Sequence, residues 1–289
     1  MSVRLHLHLA RLNRMRLAPA SPKADWRSEL EEELALRAME LDWIEEERAR
    51  IAPIANRAPR DAARFLRWFE QLREDGPGQH DPLFPWLADH ATLHQLRWFL
   101  RQELAGEAGF ADLVALTQLR LPDQPKLELA RNYWDEMGRG RAGGMHGPML
   151  SRLADDLELA QLPDDIVWES RALENLACAL AGNRRYTYQA IGALGAVELT
   201  APGRAELVNA GLERVGVKPK TRQYYALHAA LDVKHSDAWN REVLRPLVAG
   251  NPDLAPLLAE GALLRLEAGA RCFARYREEL SLVDAFAAA

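Results

Sequence analysis

Apolar residues recur at helical spacing along most of this chain. Near the start, Leu30, Leu34 and Leu41 stand among Glu and Arg residues. The pattern predicts a helix that begins at Asp25 and ends before Pro53. Strand signals are almost absent, because there is no sustained period-two alternation and no Asn-Gly or Asp-Gly hairpin between β-branched runs. The chain is therefore predicted to be all-α.

Further helices are predicted from runs of apolar residues that lie three or four positions apart. Their ranges are 60–74, 87–104, 110–118, 124–138, 147–160, 165–181, 184–200, 204–214, 219–235, 237–248 and 252–282. Proline and glycine mark the short connections between them. Short connections favour an antiparallel bundle, which we expect to be a single domain over residues 24–289.

The N-terminal segment, residues 1–23, has a different character. It carries five basic side chains and no acidic one, and it ends with Pro19 and Pro22. A poorly ordered N-terminal arm is the commoner explanation of such a segment, and a targeting presequence is the alternative. His6 and His8 lie in this arm, so neither is a strong candidate for a metal ligand.

Composition excludes several classes of protein. Hydrophobic residues make up 48% of the 289 residues, and 37 Lys and Arg against 42 Asp and Glu leave a net charge of −5. Nucleic acid is therefore not an expected partner. No apolar run approaches the ~20 residues of a membrane span, and no signal-peptide pattern is present. Cys178 and Cys272 lie in apolar helical patterns, as buried thiols do, so we expect a cytoplasmic protein.

The clearest chemical pattern lies in residues 224–235. His228, Asp232 and His235 stand at positions i, i+4 and i+7, which places them on one face of one helix. Two imidazoles and a carboxylate on one stripe are suitable ligands for a divalent first-row metal. A solvated helix that carries two histidines by chance is the alternative.

Two other places offer ligands of the same kinds. Glu136 precedes a glycine-rich turn and His146 follows it, so these residues are expected to lie close together although ten positions separate them. Glu198 is a lone acidic residue in an apolar helix, and a buried carboxylate needs a partner. Gly192 and Gly195 in that helix predict close approach of a neighbour or a ligand.

With Glu103 as a further candidate, these groups comprise four carboxylates and three imidazoles: Glu103, Glu136, His146, Glu198, His228, Asp232 and His235. Four clustered carboxylates repel one another, whereas two divalent cations would cancel their charge. Carboxylate and imidazole ligands favour iron or manganese, and the absence of thiolates argues against structural zinc. No catalytic residue beyond these ligands and no organic cofactor is predicted.

The order of these residues resembles the heme-oxygenase-like diiron oxidases and oxygenases, also called iron-containing redox enzymes. The resemblance covers residues 84 to 280 and includes the stretches 99–103 and 132–138. It implies a heme-oxygenase-like helical bundle, two Fe2+ ions, no heme, and oxidation by dioxygen with an external electron donor. The seven residues above match the family's ligand positions, although Glu107 lies one turn from Glu103 and is an alternative to it.

Several alternatives stay open. A ferritin-like site is disfavoured because no Glu precedes a His by three positions. Heme oxygenase is disfavoured because it needs an axial histidine on an early helix, and the predicted early helices contain none before His90. A thiaminase is disfavoured because Cys178 lies among Ala and Leu with no basic partner to activate it. His90 and His94 are a second pair at i and i+4, without further ligands. A non-catalytic iron-binding or partner-interaction protein is also a possible function, and a homodimer is a possible assembly. The substrate is not determined by the sequence, although the resemblance suggests a fatty acid, an amino acid or a nitrogen-containing metabolite.

Overall fold

The computed structural model describes residues 3–22, 25–159 and 165–282, and leaves out the side chains of residues 232 and 233. The regular elements in these ranges are helices, apart from one isolated bridge between Met137 and Met145. The all-α prediction is confirmed. No described helix is both long enough and apolar enough to cross a membrane.

The α-helices follow one another with short connections. They are α1 (Val3–Leu17), α2 (Trp26–Ala55), α3 (Ala62–Asp75), α4 (Leu83–Asp89), α5 (Leu93–Gly106), α6 (Phe110–Thr117), α7 (Asp123–Glu136), α8 (His146–Asp156), α9 (Trp168–Gly182), α10 (Thr187–Arg214), α11 (Gln223–Ala238), α12 (Arg245–Gly250) and α13 (Ala255–Glu279). Short 3-10 turns lie at Gly138–Gly140, Ala142–Gly144, Arg184–Tyr186 and Pro252–Leu254, and a π-helical segment, Trp239–Leu244, joins α11 to α12.

Some helix boundaries differ from the prediction because packing and capping outweigh local propensity. The two helices expected at 184–200 and 204–214 form one helix, α10, which continues through Pro202. Buried residues lie on both sides of that proline, so the neighbouring helices hold the turn in place. The helix expected at 87–104 is divided instead, since Thr92 and Gln95 form a capping box that starts α5.

Helix α10 forms the centre of the bundle and packs against α13, α11 and α4. At its crossing with α13, a Cβ atom on Gly192 would lie 1.9 Å from the carbonyl oxygen of Leu258. In the same way, a Cβ on Gly261 would lie 1.8 Å from the carbonyl oxygen of Gln189. The close approach predicted at Gly192 is thus made by a neighbouring helix. The two glycines let the backbones of α10 and α13 touch.

The N-terminal segment differs from the arm expected over residues 1–23, because residues 3–17 form a packed helix. Leu9 and Leu12 are fully buried, as is His6, whose ring stacks on Trp168 at 5.5 Å. Asn175 donates a hydrogen bond to the carbonyl oxygen of His6 at 3.0 Å. The helix forms because one of its faces is apolar and packs against α2 and α9.

The basic residues of this segment were the reason why an arm was predicted instead of a packed helix. Arg16 lies 2.9 Å from Glu40, and both side chains are almost completely buried. Its charge is therefore neutralised inside the protein instead of facing water. A sequence pattern gives no sign of such pairing, because the partner belongs to another helix.

Replacing Gly192 by Ala should destabilise the protein by about 3 kcal/mol, because the added methyl group would collide with the backbone of α13. The matched control is Gly203→Ala in the same helix, where a Cβ would meet nothing within 4 Å. That change should stabilise the protein by about 0.5–1 kcal/mol through helix propensity. Urea unfolding monitored by circular dichroism measures both effects, and equal stability of the two variants would contradict the close approach.

His6 predicts a dependence of stability on pH. Burial lowers its pKa from 6.5 to about 4, and the charge of Arg271 adds to the shift. Below pH 6.5 the unfolded chain binds a proton that the folded protein rejects. The free energy of unfolding should therefore fall by up to about 3 kcal/mol as the pH drops from 6.5 to 4. His6→Phe should weaken this dependence in urea unfolding, whereas the exposed His94→Phe should preserve it.

Candidate metal centre

Glu136 and His146 are brought together by the glycine-rich turn between α7 and α8. Gly138 and Gly140 have positive φ angles of 60° and 78°, which L-residues with side chains rarely adopt. The turn closes so tightly that a Cβ on Gly138 would lie 2.3 Å from the backbone of Gly144. As a result His146 Nδ1 lies 2.8 Å from Glu136 Oε2, and both side chains are buried.

His228 of α11 completes this group. Its ring centroid lies 4.8 Å from that of His146, with the two planes at 75°. One ligand atom each from Glu136, His146 and His228 can be chosen so that all three lie within 4.8 Å of one another. A single ion of first-row size can be reached by two imidazole nitrogens and a carboxylate oxygen from such positions.

The geometry of the contact between His146 and Glu136 indicates which kind of ligand could bind between the two side chains. Although 2.8 Å separates Nδ1 from Oε2, the approach lies outside the angular range of a hydrogen bond. No other side chain in the described ranges offers His146 Nδ1 a hydrogen bond. A buried nitrogen and a carboxylate oxygen that face each other without a shared proton both present lone pairs. These residues therefore fit a metal cation, which would accept both lone pairs.

A second group lies beside the first. His235 Nδ1 is 3.6 Å from Glu198 Oε2, while Asn132 donates a hydrogen bond of 2.6 Å to Glu198 Oε1. On its other side, His235 Nε2 lies 3.2 Å from Asp135 Oδ2. A carboxylate on one ring nitrogen fixes the orientation of the imidazole and leaves the other nitrogen for a metal. Glu198 and His235 are thus held as ligands commonly are.

Asn132 and Asp135 were not among the sequence candidates. With Glu136 they stand at i, i+3 and i+4 on α7, so one face of that helix supplies a ligand and two supporting side chains. Burial alone would raise the pKa of Asp135, but hydrogen bonds with Arg139 and His235 outweigh it and lower that pKa. The helical spacing around Glu136 was the signal that could have identified both residues.

Asp232 lies in α11 between His228 and His235, but its side chain is outside the described residues. The convergence of all three side chains of the motif therefore stays a prediction. The two histidines are each placed beside a carboxylate of another helix: His228 near Glu136 and His235 near Glu198.

The structure separates Glu103 from Glu107, although both line the same cavity. Burial raises the pKa of Glu107 to about 7, with His228 opposing the shift and Glu136 adding to it. Burial also raises the pKa of Glu103, but there the opposing charges belong to Arg204 and Arg265. Glu107 therefore lies near His228 and Glu136 and also near Arg265, whereas the cations near Glu103 are the two arginines. Of the two, Glu107 is the better-placed carboxylate, while Glu103 as a ligand stays a prediction.

Glu136, His146, His228 and Glu198 line a cavity of about 410 Å³, a volume within the range of small-molecule sites, which is roughly 300–1,000 Å³. Much of its wall is apolar. The apolar lining residues include Phe84, Phe110, Met145, Leu150, Val197 and Val208. A small organic molecule in this cavity would lie directly beside the candidate ligands.

The other candidates from the sequence do not form comparable sites. His90 ends α4 and His94 begins α5, so the two are not on one continuous helix face, and both are exposed. Burial raises the pKa of Cys178 to about 12, which disfavours the thiolate that a nucleophile requires. Cys272 is a free buried thiol as well.

Comparison with known proteins identifies the family and the fold of this chain. The family model described as iron-containing redox enzyme matches residues 97–270. No curated protein matches the chain. Two crystal structures of a CADD-like protein of unknown function from Nostoc punctiforme have a similar fold. The 2.00 Å structure has a TM-score of 0.57 and 19% identity, covering 74% of this chain and 95% of that one. The 1.35 Å structure has a TM-score of 0.55 and 21% identity, covering 74% and 93%.

His146→Ala should weaken Fe(II) binding by at least about 10–100-fold, because even residues that only support a metal ligand contribute that much. The matched control is His94→Ala, which removes an exposed imidazole from α5 and should leave affinity unchanged. Anaerobic titration with Fe(II), followed by equilibrium dialysis and metal analysis, measures both. If the two variants bound iron equally well, His146 would not be a ligand.

Proposed function

Because the chain belongs to the family of iron-containing redox enzymes, we propose that it is a non-heme diiron oxidase or oxygenase that uses dioxygen to oxidise a small organic substrate. One observation carries the proposal. Glu136, His146 and His228 converge without a hydrogen bond between the facing atoms of Glu136 and His146, directly beside the pair Glu198 and His235. Two adjacent groups of this kind would hold two metal ions.

Charge supports two ions rather than one. Glu136 and Glu198 are 3% and 2% exposed, and Glu107 lies at the same cavity, so at least three carboxylates share a desolvated region. Buried carboxylates require compensating positive charge. One Fe(II) would be held by Glu136, His146 and His228, with Glu107 nearby. The other would be held by Glu198 and His235, with Asp232 supplied by the same helix as His235.

The ligand chemistry favours iron bound by protein side chains. Imidazole and carboxylate are the ligands that non-heme iron sites use, and the described cysteines are buried neutral thiols elsewhere in the bundle. When bound, two Fe(II) ions would supply electrons for the reduction of dioxygen. An external donor would restore the ferrous state if the substrate does not supply all the electrons.

The chain's own residues would control how that reactivity is used. Asn132 holds one oxygen of Glu198, so the other oxygen is directed towards His235. Asp135 fixes the ring of His235 from outside the site. The apolar cavity wall, including Phe110 and Val197, would exclude water and hold the substrate next to the metal ligands. We propose a substrate from the fatty-acid, amino-acid or nitrogen-containing metabolite classes.

Anaerobic loading of the full chain with Fe(II) should give two iron ions per chain. His235→Ala should reduce this to about one, because it removes a ligand of the second group and leaves Glu136, His146 and His228 intact. His94→Ala is the control and should retain two. Metal analysis after gel filtration measures the stoichiometry, and one ion in the wild-type protein would contradict a diiron site.

Oxygen uptake tests the enzymatic part of the proposal. The diferrous protein should consume dioxygen faster when a substrate from a panel of fatty acids and amino acids is present. An iron-loaded protein that consumes no dioxygen with any member of the panel would instead be an iron-binding protein without turnover.

A further inference from the structure

Two arginines line the same cavity as the candidate metal ligands. Arg204 comes from α10 and Arg265 from α13, the two helices that cross at the centre of the bundle. Both lie deep in the protein, yet both keep part of their surface accessible. The cavity accounts for this combination, because their guanidinium groups can be reached from it without lying at the outer surface.

These guanidinium groups lie near acidic residues without being paired with one. Burial lowers the pKa of Arg204 to about 10, and the charge of Arg265 adds to the shift. Burial lowers the pKa of Arg265 as well. Glu103 opposes the shift of each arginine and Glu107 opposes that of Arg265, but within the described side chains no carboxylate is hydrogen-bonded to either guanidinium. Each guanidinium group therefore keeps hydrogen-bond donors for a carboxylate that enters the cavity.

Arg204 is held in a defined position. Its guanidinium carbon lies 5.8 Å from the ring centroid of Phe84 and 5.4 Å from that of Phe273. Its Nη2 donates a hydrogen bond of 3.1 Å to Thr200 Oγ1. Aromatic rings and a hydroxyl hold the cation without cancelling its charge. A group fixed in this way loses little conformational entropy when a ligand binds.

Arg265 has an apolar environment on its other side. A second pocket of about 60 Å³ also touches Arg265 and is lined mainly by leucines and alanines, among them Leu173, Leu176 and Leu194. Those side chains cannot solvate the guanidinium. Glu107 borders this pocket too, but it also lines the larger cavity, so a carboxylate from a ligand would reach Arg265 through the larger cavity, where Arg204 also lies.

We propose that Arg204 and Arg265 form the subsite that binds the carboxylate of the substrate. The substrate is then an organic monocarboxylate with an apolar body, which contacts Phe110 and Val197 and reaches the metal ligands. Arginine binds carboxylates through paired hydrogen bonds of fixed geometry, and neither guanidinium has such a bond to a described carboxylate of the chain. This assignment rests on the proposed function, because it takes the cavity to be the substrate site.

A monoanion fits better than a dianion. Glu103 opposes the pKa shifts of both arginines and Glu107 opposes that of Arg265, so acidic side chains already lie beside the pair and would disfavour a second negative charge on the ligand. A phosphate ester would bring that second charge, whereas a carboxylate would not. Fatty acids and apolar amino acids share the required group and are separate arms of the test.

The test is isothermal titration calorimetry on the full chain, both metal-free and loaded anaerobically with Fe(II). The probes are decanoate, decanol and decylamine, which share an alkyl chain and differ in head group, with phenylalanine as the amino-acid arm. We expect a carboxylate to bind at least about tenfold more tightly than the neutral and cationic analogues. Equal binding of decanoate and decanol to the wild-type protein, or no binding of either carboxylate, would overturn the subsite.

Three variants locate the interaction. Arg204→Met and Arg265→Met keep an unbranched side chain and remove the charge, and each should weaken carboxylate binding about tenfold while leaving decanol binding unchanged. Arg67→Met removes the same charge from the exposed face of α3 and should have no effect. Thermal unfolding checks that each variant is folded. Wild-type affinity for carboxylates in both cavity variants would overturn the assignment. If a variant does not fold, the comparison of decanoate with decanol and decylamine on the wild-type protein decides whether the subsite exists.

The outcome is separate from the test of the proposed function. Carboxylate binding by the metal-free chain does not require iron or dioxygen. Binding that depends on the two arginines, without any oxygen uptake, would leave the subsite standing and remove the oxidase. Oxygen uptake with a substrate that lacks a carboxylate would support the oxidase and overturn the carboxylate subsite.

Discussion

Carboxylate and imidazole side chains collected in a desolvated interior are stable only if something positive joins them. Glu136 and His146 show this requirement most clearly, because their facing atoms lie 2.8 Å apart without the geometry of a hydrogen bond. A divalent cation satisfies both atoms at once. The surrounding features, from the glycine turn after α7 to the supporting contacts of His235, serve to bring such groups to one place.

The crossing of α10 and α13 is the second requirement of the site. Because Gly192 and Gly261 let the two backbones touch, the helices approach closely at one point and leave room for a cavity farther along. Helix α10 contributes both Glu198 and Arg204 to the wall of that cavity, about 1.7 helical turns apart. The same helix therefore links the metal ligands to the cationic part of the site.

Helix α5 shows how one turn of a helix separates two chemical environments. Glu103 and Glu107 stand at i and i+4, so both point to the cavity. Glu107 responds to the charges of His228 and Glu136, whereas Glu103 responds to those of Arg204 and Arg265. Glu107 is also close enough to Arg265 to oppose its pKa shift, so the two environments meet at Glu107.

Local patterns in the sequence were sufficient for the helical class, for the meeting of Glu136 with His146 across a glycine turn, and for the face shared by His228 and His235. These features depend on residues near one another in the chain, where helical periodicity and turn chemistry are decisive. The packing of α1, the charges that lie near Glu103 and Glu107, the support from Asn132 and Asp135, and the paired Arg204 and Arg265 depend on contacts between distant helices. Periodicity shows which face of a helix turns inward, but only the tertiary structure decides which charges that face meets.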